Sequence, residues 1–549
     1  MKIHWSENPG TSLRFWLLSS LLIALYLWLT CANLSLPGLN YDEVLQGNPA
    51  LRLVVGQING NYNIVWEQPL LGRRFPIMNM EYMGALKTWM LAAGFKLFGV
   101  NLTVHRGFGI SCSAIGLLFL LQFARRLWGS WVALTAVALL ATDVTFIFCT
   151  RLDWGPVAIA FLMRCITFWA LAKWYEGDKA DGAFQSIHWF WLASAAVGIG
   201  LFDKTNFLWF ILALVPIVAA LWWTNRKRLV ITFRDFLIAT GFGFVCSLPL
   251  WVFNLVTGFR TFRMAKMPGE ALSLSGLLAL VPERFSVLVA MLNGHNLDYA
   301  WFGQSLGERP LGQNSWLTVL SSVALGGLII LAQLKRRSDL LIIPALILLM
   351  LVQIFLIPRP VWVHHWIGIY PLPHLAVAVF FHTLGSVISR ERAVKILASM
   401  IIVGAVCVNL SLWQGYQQQL LKTGGIGVWT DAIYRLNETL HDDYPSNPIC
   451  VMDWGISNQL LFLSKGQLHL QEPFWNYLES TTPQEPLLSL VRDPKNIFLL
   501  HTDSRESFAK PREALFEAAR QGGLQAHIEK TFQERTGKDI FEIVTFRPE

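Results

Sequence analysis

Long apolar runs separated by short polar connections dominate the chain. A segment needs about 20 predominantly apolar residues to cross the hydrocarbon core of a bilayer, and eleven runs approach this length. They lie at residues 13–32, 104–124, 130–149, 155–174, 187–203, 206–224, 233–256, 313–333, 339–357, 366–388 and 393–413. The first run is too long for a signal peptide and lacks a small-residue cleavage site, so we predict a retained signal anchor. The pattern predicts a polytopic α-helical membrane protein with about eleven spans.

Composition and charge agree with this prediction. The chain has 549 residues, of which 54% are hydrophobic and only 15% charged, and its mean hydropathy is +0.44. Lysine and arginine collect in alternate short connections, at Arg125-Arg126, Arg226-Lys227-Arg228, Lys335-Arg336-Arg337 and Arg390-Arg392-Lys395. Such loops are typically cytoplasmic, so the N-terminus is expected in the cytoplasm. The net charge of +8 therefore describes topology, and no basic soluble face predicts a nucleic-acid partner.

An odd number of spans places the remainder of the chain on the opposite, periplasmic or lumenal face. The long loops 33–103 and 257–312 belong to that face, and the second is a candidate lid over the membrane surface. In the tail, strand-like runs at 449–452, 497–501 and 540–546 accompany a helical pattern at 512–521. We therefore predict a transmembrane domain at 1–413 and a soluble α/β domain at 414–549.

Ionisable residues occur at every connection on this outer face. They include Asp42-Glu43, Lys87, His105-Arg106, Arg151, Asp153, Asp203-Lys204, His364 and His365. A single arginine or lysine there is often an anchor whose stem snorkels to the headgroups. The whole set runs against the positive-inside bias, and a phosphate held at the membrane surface would explain it. The seven cysteines are scattered and form neither a disulfide framework nor a CxxC metal site.

Several motifs, taken in order, resemble the GT-C membrane glycosyltransferases. These motifs are Tyr41-Asp42-Glu43 after the first span, the stretch from Met80 to Lys87, Phe98-Gly99, Arg106, and Arg151-Leu152-Asp153. The nearest resemblance is to the glycosyltransferase family 39-like group, of the protein mannosyltransferase and lipid A aminoarabinose transferase type. It covers about the first 225 residues and, weakly, His364–Pro373. It implies a GT-C-like fold with many spans, an acidic first outer loop and an outer-face soluble domain.

The resemblance also implies a reaction. Enzymes of this type move a sugar from a polyprenyl monophosphate carrier to a lipid, glycan or protein acceptor, with inversion at the anomeric carbon. Asp42 matches the family's acidic position and is expected to orient and deprotonate the acceptor. Glu43 would support Asp42 or help to hold a cation. Alternatively, Asp42 caps a helix that begins near Glu43, a role that Asn40 could equally fill.

The departing phosphate needs positive charge. The candidates for binding it are Lys87, Arg106, Arg151 and Lys204, of which Lys87 is the best motif match. A divalent metal cofactor stays open. Adjacent side chains on a helix point in different directions, so His364 and His365 are not expected to bind one ion together. Either could join Asp42 or Glu43 around a cation, or serve as a residue of the interfacial aromatic belt.

One departure from the family pattern concerns the first loop. A Pro-Pro or Lys-Pro step is common there, whereas this chain has Glu81-Tyr82-Met83-Gly84, so carrier recognition is expected to differ. A bacterial inner membrane is the expected location, because no retention signal is present.

Three other functions stay open. A polymerase or ligase would consume a lipid-diphosphate glycan rather than a monophosphate-linked sugar. A non-catalytic carrier-binding protein would tolerate loss of Asp42. A secondary transporter would place charges at mid-membrane in broken helices, whereas the predicted spans are unbroken and charges gather at one face.

Overall fold

The structure is a computed structural model. It describes residues 12–548 except 57, 59–63, 71, 177–186, 227–228, 266–273, 304–315, 358–360, 389 and 504. The α-helices, in chain order, are α1 (Ser12–Cys31), α2 (Gly47–Val55), α3 (Leu86–Phe98), α4 (Leu102–Trp128), α5 (Ser130–Thr142), α6 (Val144–Leu152), α7 (Ala158–Glu176), α8 (Ile187–Asp203), α9 (Leu208–Thr224), α10 (Phe233–Val256), α11 (Arg260–Ala265), α12 (Leu274–Ala279), α13 (Val281–Leu292), α14 (Asp298–Phe302), α15 (Trp316–Leu334), α16 (Ile342–Phe355), α17 (Val363–Trp366), α18 (Leu372–Val387), α19 (Glu391–Thr423), α20 (Ala432–Asp443), α21 (Ser457–Leu463), α22 (Glu485–Arg492) and α23 (Ala509–Gln521).

The strands form two sheets. They are β1 (Trp66–Leu70), β2 (Arg73–Met80), β3 (Met83–Gly84), β4 (Pro448–Val451), β5 (His469–Gln471), β6 (Ile497–His501), β7 (Leu524–Gln533) and β8 (Asp539–Pro548). The first three form an antiparallel sheet in the first loop, and the other five form a sheet in the C-terminal domain.

The membrane bundle accounts for all eleven predicted runs. Over the described residues, nine helical segments are long and apolar enough to cross a membrane. The fifth predicted run is α8, a shorter helix of 17 residues. The third run is the pair α5 and α6, which is bent by 67°. The fold class, a multi-pass helical membrane protein with a C-terminal α/β region, is confirmed.

The expectation of unbroken spans is wrong at the third run, because Asp143 interrupts it. Its Oδ1 accepts a hydrogen bond from the backbone N–H of Phe146 at 2.8 Å and caps α6. Its Oδ2 accepts from the hydroxyl of Tyr370 at 3.1 Å and lies 3.2 Å from Nε2 of His374. A capping aspartate starts a new helix, so α6 leaves the direction of α5.

The C-terminal domain packs helices on both faces of its sheet. The strand order is β5-β4-β6-β8-β7. Strand β4 runs parallel to β5 and β6, whereas β8 runs antiparallel to β6 and β7. One apolar layer joins the sheet to α20 and α21, and the other joins it to α22 and α23. The strands predicted near 449, 497 and 540 and the helix near 512 are confirmed.

The C-terminal domain lies at the end of the bundle where α1 ends, which we call the domain face. The Tyr434 hydroxyl donates to the carbonyl of Ser35 at 2.9 Å, and the amide of Asn48 donates to the carbonyl of Asn458 at 3.0 Å. The described part of loop 257–312 packs here too, since Trp301 contacts the rings of Phe148, Tyr416 and Trp429. The loop therefore lies between the bundle and the tail, and its role as a lid stays a prediction.

Candidate active site

Asp42 lies in a short segment that the backbone holds tightly. After α1 the chain runs over the domain face to a 3₁₀ turn at Asp42–Val44. The side-chain oxygen of Asn40 accepts the backbone N–H of Asp42 at 2.9 Å. The turn has no side-chain cap from its own N-cap residue, Tyr41. Asn40 thus satisfies a backbone N–H at this turn, so the carboxylate of Asp42 is available for other contacts.

Glu43 and Arg106 form a fully buried ion pair. Arg106 Nε lies 2.7 Å from Glu43 Oε1, and its Nη2 lies 2.9 Å from Oε2. Both side chains are 0% exposed. Arg106 also donates to the carbonyls of Leu34 and Pro37 at 2.6 and 3.1 Å. Both residues were expected at the reaction site, but the structure engages both carboxylate oxygens and most of the guanidinium donors in holding the first loop.

Arg151 has a similar position on the other side of this loop. It is fully buried, and its Nη1 donates to the carbonyl of Ala32 at 2.9 Å. Its Nη2 donates to the carbonyls of Asn33 and Leu36. These are carbonyls at and after the end of α1, which no helical partner satisfies. Arg151 is therefore bound to backbone rather than directed at open space.

Lys87 and Asp153 form a second buried pair. Lys87 Nζ lies 2.7 Å from Asp153 Oδ2, and the side chains are 2% and 3% exposed. The other oxygen of Asp153 accepts the backbone N–H groups of Val157 and Ala158 at 2.7 and 2.8 Å, at the start of α7. This pair fixes α3 against the turn between α6 and α7.

Lys204 joins the same group of charges. Its Nζ donates to the carbonyl of Gly155 at 2.9 Å. Asp203, Asp42 and Asp153 all favour its charged form, but burial outweighs them and lowers the pKa of Lys204 to about 8. Asp203 is itself buried, and within the described residues neither of its oxygens has a hydrogen-bond partner.

The carboxylate of Asp42 lies between this cluster and solvent. It is half-buried, and burial raises the pKa of Asp42 above its ordinary value. The charge of Lys204 and a hydrogen bond from the Trp154 side chain oppose that rise. A half-buried carboxylate with a raised pKa beside a lysine with a lowered pKa is the kind of pair that acid–base chemistry uses.

The first-loop sheet positions Lys204. Residues Met83 and Lys204 form an antiparallel bridge, and the N–H of Thr205 donates to the carbonyl of Tyr82 at 3.0 Å. A Cβ at Gly84 would lie 2.3 Å from the carbonyl oxygen of Phe202, so the close approach requires glycine.

Glu81 connects the same loop to the segment predicted as a lid. Arg260 Nη2 lies 2.8 Å from Glu81 Oε1, and the hydroxyl of Thr261 donates to the carbonyl of Glu81. The Arg260 side chain is 50% exposed, so it brings a solvent-accessible cation to this face.

His364 and His365 lie at the domain face beside the turn that holds Trp154. The ring of His364 packs against Trp154 with centroids 5.0 Å apart, and a Cβ at Gly155 would come within 2.5 Å of it. His365 Nδ1 accepts the backbone N–H of Trp362 at 3.1 Å. Among the described residues, no three His, Cys, Asp or Glu side chains gather as a metal ion would require. Since Glu43 is engaged by Arg106, it does not fit as a ligand, and metal binding by Asp42 and a histidine stays a prediction.

A loop of the C-terminal domain contacts the residue beside Asp42. Trp454 packs on Tyr41, the neighbour of Asp42, with ring centroids 4.9 Å apart. Asp453 organises this loop: it accepts from the N–H of Ser507 at 2.8 Å and lies 2.7 Å from Nδ1 of His501. This turn follows strand β4, and no local pattern in the sequence predicts its contact with the first loop.

Sequence reasoning did not assign roles to Trp154, Asp203 and Trp454. Trp154 follows Asp153 and Asp203 precedes Lys204, so adjacency to a selected residue was the available signal for these two. Contact between Trp454 and Tyr41 joins positions more than 400 residues apart, which no local pattern reveals.

Part of the chain is similar in sequence to known proteins. A family model described as dolichyl-phosphate-mannose-protein mannosyltransferase matches residues 84–253. An undecaprenyl phosphate-alpha-4-amino-4-deoxy-L-arabinose arabinosyl transferase of Pseudomonas aeruginosa (strain UCBPP-PA14) is 30% identical over 145 residues, which is 26% of this chain and 25% of the relative. A similarly named protein of Pseudomonas fluorescens is 30% identical over 164 residues, 29% of this chain and 27% of the relative. The matched part thus spans about a quarter of these relatives.

Solved structures extend the likeness to the whole chain. ArnT from Cupriavidus metallidurans in the apo state superposes with a TM-score of 0.61 at 12% identity, covering 98% of both chains. Its form bound to undecaprenyl phosphate gives 0.59, covering 95% of this chain and 97% of that one. The archaeal oligosaccharyltransferase AglB from Archaeoglobus fulgidus gives 0.51 at 11% identity, covering 99% of this chain and 75% of that one. The resemblance seen in the motifs is confirmed: the chain has the fold of the GT-C membrane glycosyltransferases of the aminoarabinose transferase type.

Proposed function

We propose that this protein is a membrane glycosyltransferase that moves a sugar from a polyprenyl monophosphate carrier to an acceptor at the domain face. The observation that carries the proposal is the position of Asp42. Its half-buried carboxylate lies at the domain face, where it is near the side chain of Trp154 and the charge of Lys204. The printed names of the relatives, undecaprenyl phosphate-linked aminoarabinose transferases, support this donor class.

The reaction needs one proton acceptor and one anion-stabilising group. An acceptor hydroxyl or amine attacks the anomeric carbon, and its proton passes to Asp42. The bond between that carbon and the phosphate oxygen breaks, and polyprenyl phosphate leaves with the electron pair. Direct displacement inverts the anomeric carbon. General-base assistance is typically worth about 10²–10⁴ in rate.

The leaving phosphate is assigned to the lysines. Lys204 is close to Asp42 and Asp153, and Lys87 is bound to Asp153, so both border the same polar cluster. Arg260, exposed above Glu81, is a third cation that a phosphate could reach. Arg106 and Arg151 have their donors on Glu43 and backbone carbonyls, and we propose that they shape the first loop instead.

The topology proposed for the reaction follows the positive-inside rule. The N-terminus would lie in the cytoplasm of a bacterial cell, and the domain face would be periplasmic. The acceptor then meets the donor outside the inner membrane, where Trp454 of the C-terminal domain contacts Tyr41 beside Asp42.

The test is a transfer assay on the full chain in nanodiscs. Radiolabelled undecaprenyl-phosphate sugars, including aminoarabinose and mannose, are supplied with a membrane extract as acceptor. Asp42→Asn is expected to lower transfer by about 10²–10⁴ with no change in unfolding temperature. The control Asp235→Asn alters a cap of α10 at the opposite end of the bundle and should transfer normally.

Three outcomes contradict the proposal. Equal transfer by wild type and Asp42→Asn would remove Asp42 as the base. Consumption of diphosphate-linked donors alone would favour a glycan polymerase or ligase. Carrier binding without transfer from any donor would favour a carrier-binding protein.

A further inference from the structure

Arg164 is a buried cation inside a membrane-spanning helix. It is the seventh residue of α7 (Ala158–Glu176), which places its Cα about 9 Å below the domain-face end of the helix at 1.5 Å per residue. The residue is only 5% exposed. This position contradicts the expectation that charges gather only at the face, and a charged side chain at such a depth marks a functional site by default.

The guanidinium of Arg164 has no carboxylate partner among the residues that the structure describes. Within the part of the chain that the structure describes, its Nε is buried without a hydrogen-bond partner, and no carboxylate lies within ion-pairing distance of it. Arg284, which is equally buried, donates instead to the carbonyls of Ile354 and Phe355 at 3.2 and 2.5 Å. Because arginine stays charged in proteins, the positive charge of Arg164 needs an external partner.

A small cavity adjoins this side chain. Arg164 lines it together with Asn206, His364 and His365, and Val157 and Met350 complete its apolar wall. His365 Nδ1 accepts the N–H of Trp362, so in the neutral ring the hydrogen is on Nε2, which makes that atom a donor. The amide of Asn206 is a further donor. A positive charge accompanied by donors and no carboxylate suits an anion.

We propose that this cavity binds one small monovalent anion, chloride in ordinary solution, as the counterion of Arg164. The cavity has a volume of about 20 Å³, and this volume limits the size of the anion. About 10–15 Å³ of such volume holds one water molecule, so the cavity admits one or two water-sized occupants and excludes a phosphate group. The site is distinct from the cluster at Asp42, and its existence does not depend on the proposed reaction.

An anion in this cavity would also affect side-chain packing at the domain face. The ring of His364 forms part of the cavity wall and packs on Trp154, which is near the carboxylate of Asp42. Occupancy would hold α7, the turn before α9 and α17 together, because Arg164, Asn206 and His365 each contribute a donor. Chloride therefore stabilises the packing behind the Trp154 turn.

The test measures thermal unfolding of the full chain in nanodiscs while chloride replaces gluconate at constant ionic strength. The unfolding temperature of the wild type is expected to rise and saturate, since a ligand that binds only the folded state stabilises it. Arg164→Met should show no rise. Arg284→Lys should keep the rise in unfolding temperature, because Arg284 is equally buried but already has carbonyl partners. Crystals soaked in bromide should show one anomalous peak beside Arg164.

The same preparation distinguishes a carrier phosphate from a free anion. Undecaprenyl phosphate should raise the unfolding temperature of wild type and Arg164→Met equally. If only the wild type responds to undecaprenyl phosphate and neither responds to chloride, the cation belongs to the carrier site and the proposal is overturned. A chloride response that survives in Arg164→Met, or no chloride response in the wild type, overturns it as well.

Discussion

The buried cations of the domain face fall into two groups that the sequence made look alike. Arg106 and Arg151 lie around the segment after α1, where they bind Glu43 and the carbonyls of the first loop. Lys87 and Lys204 lie below Asp42 among carboxylates, and one of these, Asp203, has no hydrogen-bond partner among the described residues. The two arginines bind mainly the backbone of the segment after α1, whereas the two lysines lie among buried carboxylates.

The difference follows from the two side chains. Arginine presents five donors in a planar fork and stays charged, so it can satisfy several carbonyls at once. Lysine is a compact point charge whose pKa shifts readily when it is buried, as the pKa of Lys204 does. The two buried arginines therefore suit a role in holding the loop, and the two lysines suit the role in the reaction that we propose for them.

The largest expected effect is a loss of stability when an arginine of the first group is replaced. Arg106→Met leaves the carboxylate of Glu43 buried without its partner, and breaking a buried pair in this way typically costs about 3–5 kcal/mol. The unfolding temperature in detergent should fall sharply. The additional change Glu43→Leu should recover much of the loss, because no buried charge then stays unpaired.

Lys395→Met is the matched control for that prediction. It removes an exposed pair with Glu391 on α19, which is worth about 0.3–0.5 kcal/mol. If Arg106→Met kept its unfolding temperature but lost affinity for undecaprenyl phosphate, Arg106 would belong to the phosphate site and the division between the two groups would fail.

The next effect concerns the lysine group. Lys204→Met removes a cation beside the proposed leaving phosphate, and loss of one such stabilising donor typically lowers kcat by about 10²–10³. Transfer by the wild type should also fall as pH rises through about 8, where Lys204 loses its proton. Initial rates against pH measure both expectations.

Lys204→Arg tests whether Lys204 causes the expected fall in transfer at alkaline pH. It keeps a charge that does not titrate in this range, so residual transfer should persist to higher pH than in the wild type. An alkaline limb that stays near pH 8 in this variant would assign the titration to another group.

The smallest expected effect concerns the contact between the two halves of the chain. Trp454→Ala removes the ring that packs on Tyr41, and aromatic pairs are worth about 0.5–1.5 kcal/mol beyond their buried area. We expect KM for the acceptor to rise by about two- to tenfold, with kcat nearly unchanged. Trp454→Phe should retain most of the affinity. An equal loss of kcat would instead show that the ring positions Asp42.

The sequence predicted the spans, the α/β tail and the position of Asp42 well, because apolar period and motif order are local properties. It did not predict the bend at Asp143, whose buried contacts to Tyr370 and His374 come from a distant helix. It also did not predict the small sheet formed by β1, β2 and β3, because short strands in a loop carry little periodic signal.

The predicted site residues stay predictions, but the structure shows that the four candidate cations have different partners. Lys87, Arg106, Arg151 and Lys204 share a face and a charge, so residue type and position suggested one common role. What separates them is the set of partners: the arginines bind several carbonyls of the segment after α1, whereas the lysines lie among Asp42, Asp153 and Asp203. These partners depend on packing between distant helices. Arg164 was overlooked because a single charge in an apolar run barely changes its hydropathy.

The crossing between the first loop and the chain that follows α19 bears on how such proteins can be recombined. A Cβ at Gly38 would lie 2.1 Å from the carbonyl oxygen of Thr430, and the N–H of Gly38 donates to the carbonyl of Gly424 at 3.2 Å. Asn40, which holds the Asp42 turn, donates to the carbonyl of Val428 at 3.3 Å. The tail is therefore not an exchangeable module: a chimera that grafts a relative's C-terminal domain onto this bundle must bring that relative's first loop with it.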